Sequence, residues 1–226
     1  MTQTIPNSKT DAIRSKVLHA AAKLFLERGY AASTVRDIAD AAGVNVSAMI
    51  RVIKNKETLM CELVRFVLEG QFETAGKMLQ GITEDKLLFY AAETTLQLYM
   101  AESAEKIREL YNVAYSMPES AAVIMSTITG KLQDIFGSHL PDLKPKDFYE
   151  LEIATGGIMR GFMTVPCDLY FTIDRKVRRF LECVFRIFRI PEAKIEEAIV
   201  FVSQFDYPTI AQAAIGSMLS YLESMT

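Results

Sequence analysis

The chain has 226 residues, of which 50% are hydrophobic, so it can bury a sizeable core in one large or two small domains. It contains no run of about 18 or more uncharged apolar residues and its N-terminus lacks the apolar stretch of a signal peptide, so we expect a cytoplasmic protein without a membrane segment. Cys61, Cys167 and Cys183 are widely spaced, which argues against a disulfide framework or a zinc site. Each is expected to be a small core residue, with a redox-sensing thiol as the alternative.

The overall charge of −3 hides a difference between the two ends of the chain. Residues 1–56 contain nine lysines and arginines against four acidic residues, a net charge of +5, which leaves −8 on the remaining 170 residues. A basic module on an acidic body is typical of a protein that places one end against a polyanion. Taken alone, the charge pattern is also compatible with an ordinary solvated surface.

The first predicted helix runs from about Lys9 to Arg28. A capping pattern from Ser8 to Asp11 opens it, and Gly29 ends it in the left-handed cap position. Its helical period predicts one buried stripe, formed by Ile13, Val17, Ala20, Ala21, Leu24 and Phe25.

Two shorter helices follow, broken at a single glycine. Thr34 is expected to cap the first of them, with Asp37 reaching back to complete a capping box. Gly43 supplies the turn, and Asn45 is the expected cap of the next helix, Val46 to Ile53. This arrangement predicts a helix-turn-helix, whose second helix can enter the major groove of DNA.

The rest of the chain also has the helical period and no alternating strand pattern, so the protein is predicted to be all-α. A fourth helix, capped by Asn55 and ending near Gly81, would connect a small domain, residues 1–56, to a larger one, residues 57–226. Further helices are predicted at about 83–102, 104–116, 118–137, 146–165, 173–190, 192–205 and 207–224, most of them separated by prolines.

Residues 13–63 resemble the TetR family of bacterial transcriptional regulators. The resemblance is carried by AAAKLFLERGY in the first helix, TVRDIADAAGV across the turn and KETL at the start of the fourth helix. It implies a three-helix DNA-binding domain followed by a larger helical domain for ligand binding and dimerisation. The recognition helix departs from the family pattern, because Ile50 stands where a phosphate-binding tyrosine is common and Ile53 where an aromatic residue is common.

The helix faces and the resemblance together give a set of candidate DNA contacts. Arg51 and Asn45 can pair with the edges of guanine and adenine, and Ile50 can touch a thymine methyl group or simply pack. Positions near the starts of the second and fourth helices are suited to phosphate, with ordinary capping and solvated charge as the alternatives. The candidates are Thr34, Arg36, Asn45, Val46, Ser47, Ala48, Ile50, Arg51 and Lys56.

The resemblance also implies a small-molecule cavity in the larger domain. Tyr90, Glu93 and Gln97 share one face of a mostly apolar helix, and a buried carboxylate or amide needs a hydrogen-bond partner. Apolar walls with a few polar groups are typical of ligand pockets, with plain core packing as the alternative. The candidates are Tyr90, Glu93, Thr94, Gln97, Tyr111, Tyr115, Met125, Met159, Phe162 and Met163. The effector is unidentified, and no cofactor or metal is predicted.

Two helices near residues 150 and 180 are the expected dimer elements. Gly156, Gly157 and Gly161 lower the helix propensity of the first, which suggests close packing or a kink. The second is strongly amphipathic, and its arginines could bind a partner subunit, an anionic effector group or only water. These arginines are Arg175, Arg179, Arg186 and Arg189.

These features predict a homodimeric, ligand-responsive regulator that binds a palindromic double-stranded DNA operator, a repressor released when a small molecule binds. A small-molecule binding protein with a weakened helix-turn-helix is the alternative. An enzyme is not expected, because no nucleophile, base and orienting group form a recognised set, and a pair of Cys167 with His139 is the one catalytic candidate left open.

Overall fold

The computed structural model describes residues 9–226, and this part of the chain folds into eleven α-helices without a strand. The all-α prediction is therefore confirmed, while the predicted cap at Ser8 lies outside the described residues. The helices are α1 (Lys9–Arg28), α2 (Val35–Ala41), α3 (Val46–Val52), α4 (Lys56–Leu79), α5 (Lys86–Glu102), α6 (Glu105–Ser116), α7 (Pro118–Phe136), α8 (Pro145–Thr164), α9 (Ile173–Ile187), α10 (Glu192–Val202) and α11 (Tyr207–Ser224).

The N-terminal three helices pack around a small apolar core. The predicted stripe of α1 is buried from Val17 to Phe25, while Ile13 at its start is half-buried. Ile38 of α2 and Met49 of α3 close this core, each without solvent exposure. Helices as short as α2 and α3 are unstable alone, so their packing against α1 is what holds them in place.

The larger domain is arranged around α5, which is buried on almost every side. Helices α4, α6, α7, α9, α10 and α11 pack against it, and α8 packs mainly against α6, α7 and α9. The segment LLFYAAETTLQLYM of α5 carries little charge. Because a helix that is apolar on all sides is stable only inside a protein, α5 lies at the centre. Its few polar groups, Glu93, Thr94, Thr95 and Gln97, are consequently buried with it.

The two domains are joined by more than the connecting helix α4. Helix α1 also packs against α6 and α11. Ala114 of α6 and Leu222 of α11 belong to the same apolar cluster as the core of the helix-turn-helix. A change in the packing of the larger domain can therefore reach α1 directly as well as through α4.

The structure corrects one expectation about the cysteines and answers part of the question about the arginines of α9. Cys183 is exposed, and Cys61 and Cys167 are half-buried, so the prediction that all three cysteines are core residues was wrong for Cys183. Amphipathic α9 turns this thiol outward, on the face that carries its charges. Two of these arginines form ion pairs with glutamates of the same chain at the surface: Arg179 pairs with Glu182 at 2.6 Å and Arg186 with Glu192 at 2.7 Å.

Among residues 9–226, no helix is long and apolar enough to cross a membrane. The same residues contain no group of three or more His, Cys, Asp or Glu side chains placed to hold a metal ion.

Candidate DNA-binding face and effector cavities

The start of α2 is fixed by the predicted capping box. The backbone N–H of Asp37 donates to the Thr34 hydroxyl at 3.1 Å, and the backbone N–H of Thr34 donates to the Asp37 carboxylate at 2.9 Å. The hydroxyl of Thr34 also donates to this carboxylate at 2.6 Å. Hydrogen bonds from Thr34 lower the pKa of Asp37, so the box is formed at neutral pH.

The turn between α2 and α3 depends on Gly43, whose φ is +65°. The backbone N–H of Gly43 donates to the carbonyl of Asp40 at 3.1 Å, and that of Val44 donates to the carbonyl of Ala39 at 3.0 Å. These two bonds form a Schellman motif, which requires the left-handed conformation that glycine adopts most easily. The glycine thereby sets the angle at which α3 leaves α2.

The outer face of α3 exposes the residues expected to contact DNA. Asn45, Ser47 and Arg51 are exposed, and Ile50 is 46% exposed in the middle of this face. The side-chain oxygen of Asn45, Oδ1, accepts from the backbone N–H of Ala48 at 2.7 Å, which leaves the side-chain amide N–H groups for another partner. Among the described residues, Arg51 makes no ion pair or hydrogen bond, so its guanidinium is available for a base or a phosphate.

Two candidates from the sequence are placed differently. Val46 is half-buried and packs against the helix-turn-helix core, so it supports α3. Lys56 lies on Tyr30: its ammonium donates to the Tyr30 carbonyl at 2.6 Å and sits 3.9 Å from the centre of the ring. Burial lowers the pKa of Lys56. Its main contact therefore joins α4 to the loop that follows α1.

A cavity of about 140 Å³ lies at the junction of the two domains, and we call it the junction cavity. Its walls are side chains of α1, α4, α5, α6, α7 and α11, and they are almost entirely apolar. A dry cavity of similar size, about 150 Å³, accommodates benzene. One polar atom on its wall lacks a partner, because Gln71 donates to the Tyr111 hydroxyl at 2.8 Å while its own carbonyl oxygen accepts from none of the described residues.

A second, smaller cavity of about 30 Å³ lies deeper in the larger domain. It is lined by Glu93 of α5 and Glu152 of α8, so we call it the carboxyl cavity. Gln97 and Tyr115 line both cavities and are joined to each other, since the Gln97 amide donates to the Tyr115 hydroxyl at 2.9 Å. The two cavities are therefore neighbours separated by one hydrogen-bonded pair of side chains.

Burial dominates the electrostatics of the carboxyl cavity. It raises the pKa of Glu93 to about 7 and that of Glu152 to about 8, against a usual value of 4.5. Lys131 opposes the shift at Glu93, and a hydrogen bond from the Thr155 hydroxyl at 3.0 Å opposes it at Glu152. Two carboxyl groups are thus held partly or wholly protonated near neutral pH.

The structure brings together part of the predicted ligand set. Tyr90, Glu93, Thr94, Gln97, Tyr115 and Met159 line the carboxyl cavity, and Tyr111 lines the junction cavity together with Gln97 and Tyr115.

Three other candidates lie outside the walls of both cavities. Met163 is buried in the main core, and Phe162 packs against the rings of Phe171 and Phe180. Met125 is half-buried. Because the side chains of Met163 and Phe162 are engaged in packing and Met125 lies outside both cavities, these three residues are not part of the proposed site.

Three polar wall residues were not predicted from the sequence: Gln71, Lys131 and Glu152. For Glu152 a signal was present, because it falls in the helical period between Phe148, Thr155 and Met159, all of which are buried. A carboxylate on a buried stripe is a candidate functional group in its own right.

The catalytic alternative gains no support from the geometry. His139 is exposed, and the charges that act on the Cys167 thiol are those of Lys176 and Glu102. Burial raises the pKa of this thiol, which lowers the fraction of reactive thiolate.

Comparison with known proteins agrees with this geometry. Residues 17–63 match the family model of bacterial regulatory proteins of the tetR family. A segment of 82 residues is 35% identical to the HTH-type transcriptional repressor KstR2 of Rhodococcus jostii, covering 36% of this chain and 40% of that protein. YttP of Bacillus subtilis, named a probable HTH-type transcriptional regulator, is 28% identical over 155 residues, covering 68% of this chain and 69% of its own.

The fold of the whole chain has a counterpart among solved structures. RolR, crystallised with the ligand resorcinol, superposes with a TM-score of 0.67 at 14% identity, covering 84% of this chain and 94% of that one. At this identity the likeness concerns the fold alone. The N-terminal part of the chain is therefore similar to bacterial regulatory proteins of the tetR family, and the fold of the chain is similar to that of RolR.

Proposed function

We propose that this protein is a homodimeric transcriptional repressor that binds a palindromic DNA operator and releases it when a small molecule enters the larger domain. The observation that carries the proposal is the position of the junction cavity, whose wall contains α1 of the DNA-binding domain as well as five other helices. A molecule that fills this cavity touches both domains at once. The curated relatives named as repressors and the ligand-bound RolR structure are consistent with this reading.

The mechanism follows from the packing of α1 and α4. Phe25 of α1 and Leu63 of α4 face the cavity on one side and belong to the helix-turn-helix core on the other. A ligand that separates these side chains must shift α1 or the N-terminal half of α4. Because two recognition helices of a dimer must lie about one DNA turn apart, such a shift lowers operator affinity without changing the reading face. The ligand must bind the released state more tightly than the DNA-bound state.

For the dimer surface we propose the outer face of α8 and the loop that follows it. Tyr149, Ile153, Gly157 and Gly161 follow one another at intervals of four residues and are all exposed, as are Leu169 and Tyr170 in the loop. No atom lies within 4 Å of the positions that side chains on Gly157 and Gly161 would take, so a second helix can approach closely there. Light scattering of the purified protein measures the oligomeric state directly.

DNA binding is tested with fluorescence anisotropy on the DNA upstream of the protein's own coding sequence, over a series of salt concentrations. We expect sequence-preferring binding that weakens as salt increases. Replacing Arg51 with Ala should weaken DNA binding by about 1–3 kcal/mol if Arg51 reads a base. Replacing Arg36 with Ala should reduce the slope of log affinity against log salt concentration by about 1 if Arg36 contacts phosphate. Arg65→Ala, at an exposed arginine of α4 outside the predicted DNA contacts, is the matched control and should bind like the wild type.

The alternative is a ligand-binding protein whose helix-turn-helix no longer binds DNA, and exposed Ile50 is the feature that favours it. A salt-sensitive preference for the upstream DNA excludes this alternative. Failure to bind that DNA, together with failure to enrich any fragment from a genomic library, would replace our proposal with it.

A further inference from the structure

The carboxyl cavity contains a buried acid without a hydrogen-bond partner. Glu93 is 4% exposed and lines the cavity, yet none of the described residues donates a hydrogen bond to its carboxyl group. A buried polar group without a partner costs free energy, and natural proteins rarely retain one without a use. Glu93 therefore points to a missing donor inside this cavity.

The charges around the cavity indicate the sign of that donor. Its wall holds two carboxyl groups, Glu93 and Glu152, and one ammonium group, that of Lys131. The ammonium lies 3.8 Å from the centre of the Phe72 ring and forms no ion pair with the described residues. With all three groups ionised the wall carries one unbalanced negative charge, which a ligand with a single positive charge would neutralise.

The other walls suit an organic cation. The aromatic rings of Phe72, Tyr90, Tyr115 and Phe180 line the same cavity. Faces of aromatic rings attract ammonium groups, most strongly where water is excluded. A volume of about 30 Å³ is suited to a group the size of a water molecule, so a primary ammonium group fits and a bulky quaternary one does not.

The neighbouring junction cavity supplies the place for the rest of the ligand. It is apolar, large enough for a body the size of a benzene ring, and shares Gln97 and Tyr115 with the carboxyl cavity. We propose that the effector is an amphipathic primary amine, with its apolar body in the junction cavity and its ammonium group between Glu93 and Glu152. This inference adds the chemical class of the ligand to the proposed function. It rests on the proposed function only where it treats that ligand as the effector.

The test uses phenylalkylamines from phenethylamine to phenylbutylamine, each compared with the alcohol of the same carbon skeleton, by isothermal titration calorimetry on the full chain. We expect at least one amine to bind at least about tenfold more tightly than its alcohol. Glu93→Gln and Glu152→Gln should remove this preference while leaving alcohol binding unchanged. Glu84→Gln, at an exposed glutamate just before α5, is the matched control and should behave like the wild type.

A pH series gives an independent readout. The carboxyl groups must ionise to receive the ammonium group, so amine affinity should increase between about pH 6 and pH 8, by up to about tenfold per pH unit for each proton released. Alcohol affinity should stay constant. Lys131 of α7 is the charged group that acts on Glu93. Burial, with a smaller contribution from Glu93, raises the pKa of four nearby tyrosines above the usual value of 10, so these tyrosines stay neutral in this range; they are Tyr90, Tyr111, Tyr115 and Tyr207.

The inference is overturned if no amine binds more tightly than its alcohol, or if the two glutamine variants retain the preference. Circular dichroism checks that these variants are folded. We expect them to fold because glutamine resembles the protonated acid. Upstream DNA binding is measured in parallel. If the protein binds the upstream DNA but no amine, the inference alone is refuted. If it binds an amine but not the DNA, the repressor proposal alone is refuted.

Discussion

Replacement of Gly43 by Ala tests whether the turn of the helix-turn-helix depends on backbone conformation alone. A Cβ atom at this position would meet no atom within 4 Å, so the substitution causes no clash. With φ at +65°, however, alanine must adopt the left-handed conformation, which costs roughly 1–2 kcal/mol. Lower entropy of the unfolded chain returns about 0.4–1 kcal/mol. We expect a net destabilisation of about 1 kcal/mol.

Gly76→Ala is the matched control, because it adds the same methyl group to an exposed glycine inside α4, again with no atom within 4 Å. There the backbone is helical, and alanine should stabilise the protein by about 0.5–1 kcal/mol. For a chain of this size, 1 kcal/mol corresponds to about 2–4 °C in Tm. Thermal unfolding followed by circular dichroism should therefore give shifts of opposite sign. If Gly43→Ala also raises Tm, the assignment of the turn to a left-handed glycine is refuted.

Two further predictions concern buried charges. In the wild-type protein the pKa of Glu93 is raised to about 7, so its contribution to stability is complete below the unfolded pKa of about 4.5 and is lost as pH rises through 7. Urea denaturation of the wild type should show this as a decrease of about 3 kcal/mol in the free energy of unfolding, and Glu93→Gln should not show it. An unchanged pH dependence in the variant would contradict the burial argument. Lys176 is fully buried and its ammonium donates to Glu102 at 2.6 Å, so Lys176→Met should cost about 3 kcal/mol of unfolding free energy. The double variant with Glu102→Gln, whose amide oxygen can still accept from the Cys167 backbone N–H at 3.1 Å, should recover much of this loss. A further decrease in the urea midpoint would show that the pair is not the source.

The sequence was sufficient for features that depend on residues close together in the chain. The caps at Thr34, Asn45 and Asn55 and the turn at Gly43 involve partners at most five residues away, and all four are present in the structure. Helical periodicity likewise located most of the helices to within a few residues, because it reports which face of a helix is buried.

Periodicity does not report what a buried face packs against, and this is where the structure was needed. Glu93 was identified from its own helix, but its neighbours Lys131 and Glu152 come from α7 and α8, which only the tertiary packing brings to the same cavity. The same holds for Lys56, whose ammonium binds the Tyr30 carbonyl across 26 residues of sequence. The sequence by itself determined the helices, their caps and the resemblance of the N-terminal part to the TetR family. Only the tertiary structure decided which polar groups face one another, because burial, and with it pKa and unpaired charge, depends on helices that are distant along the chain.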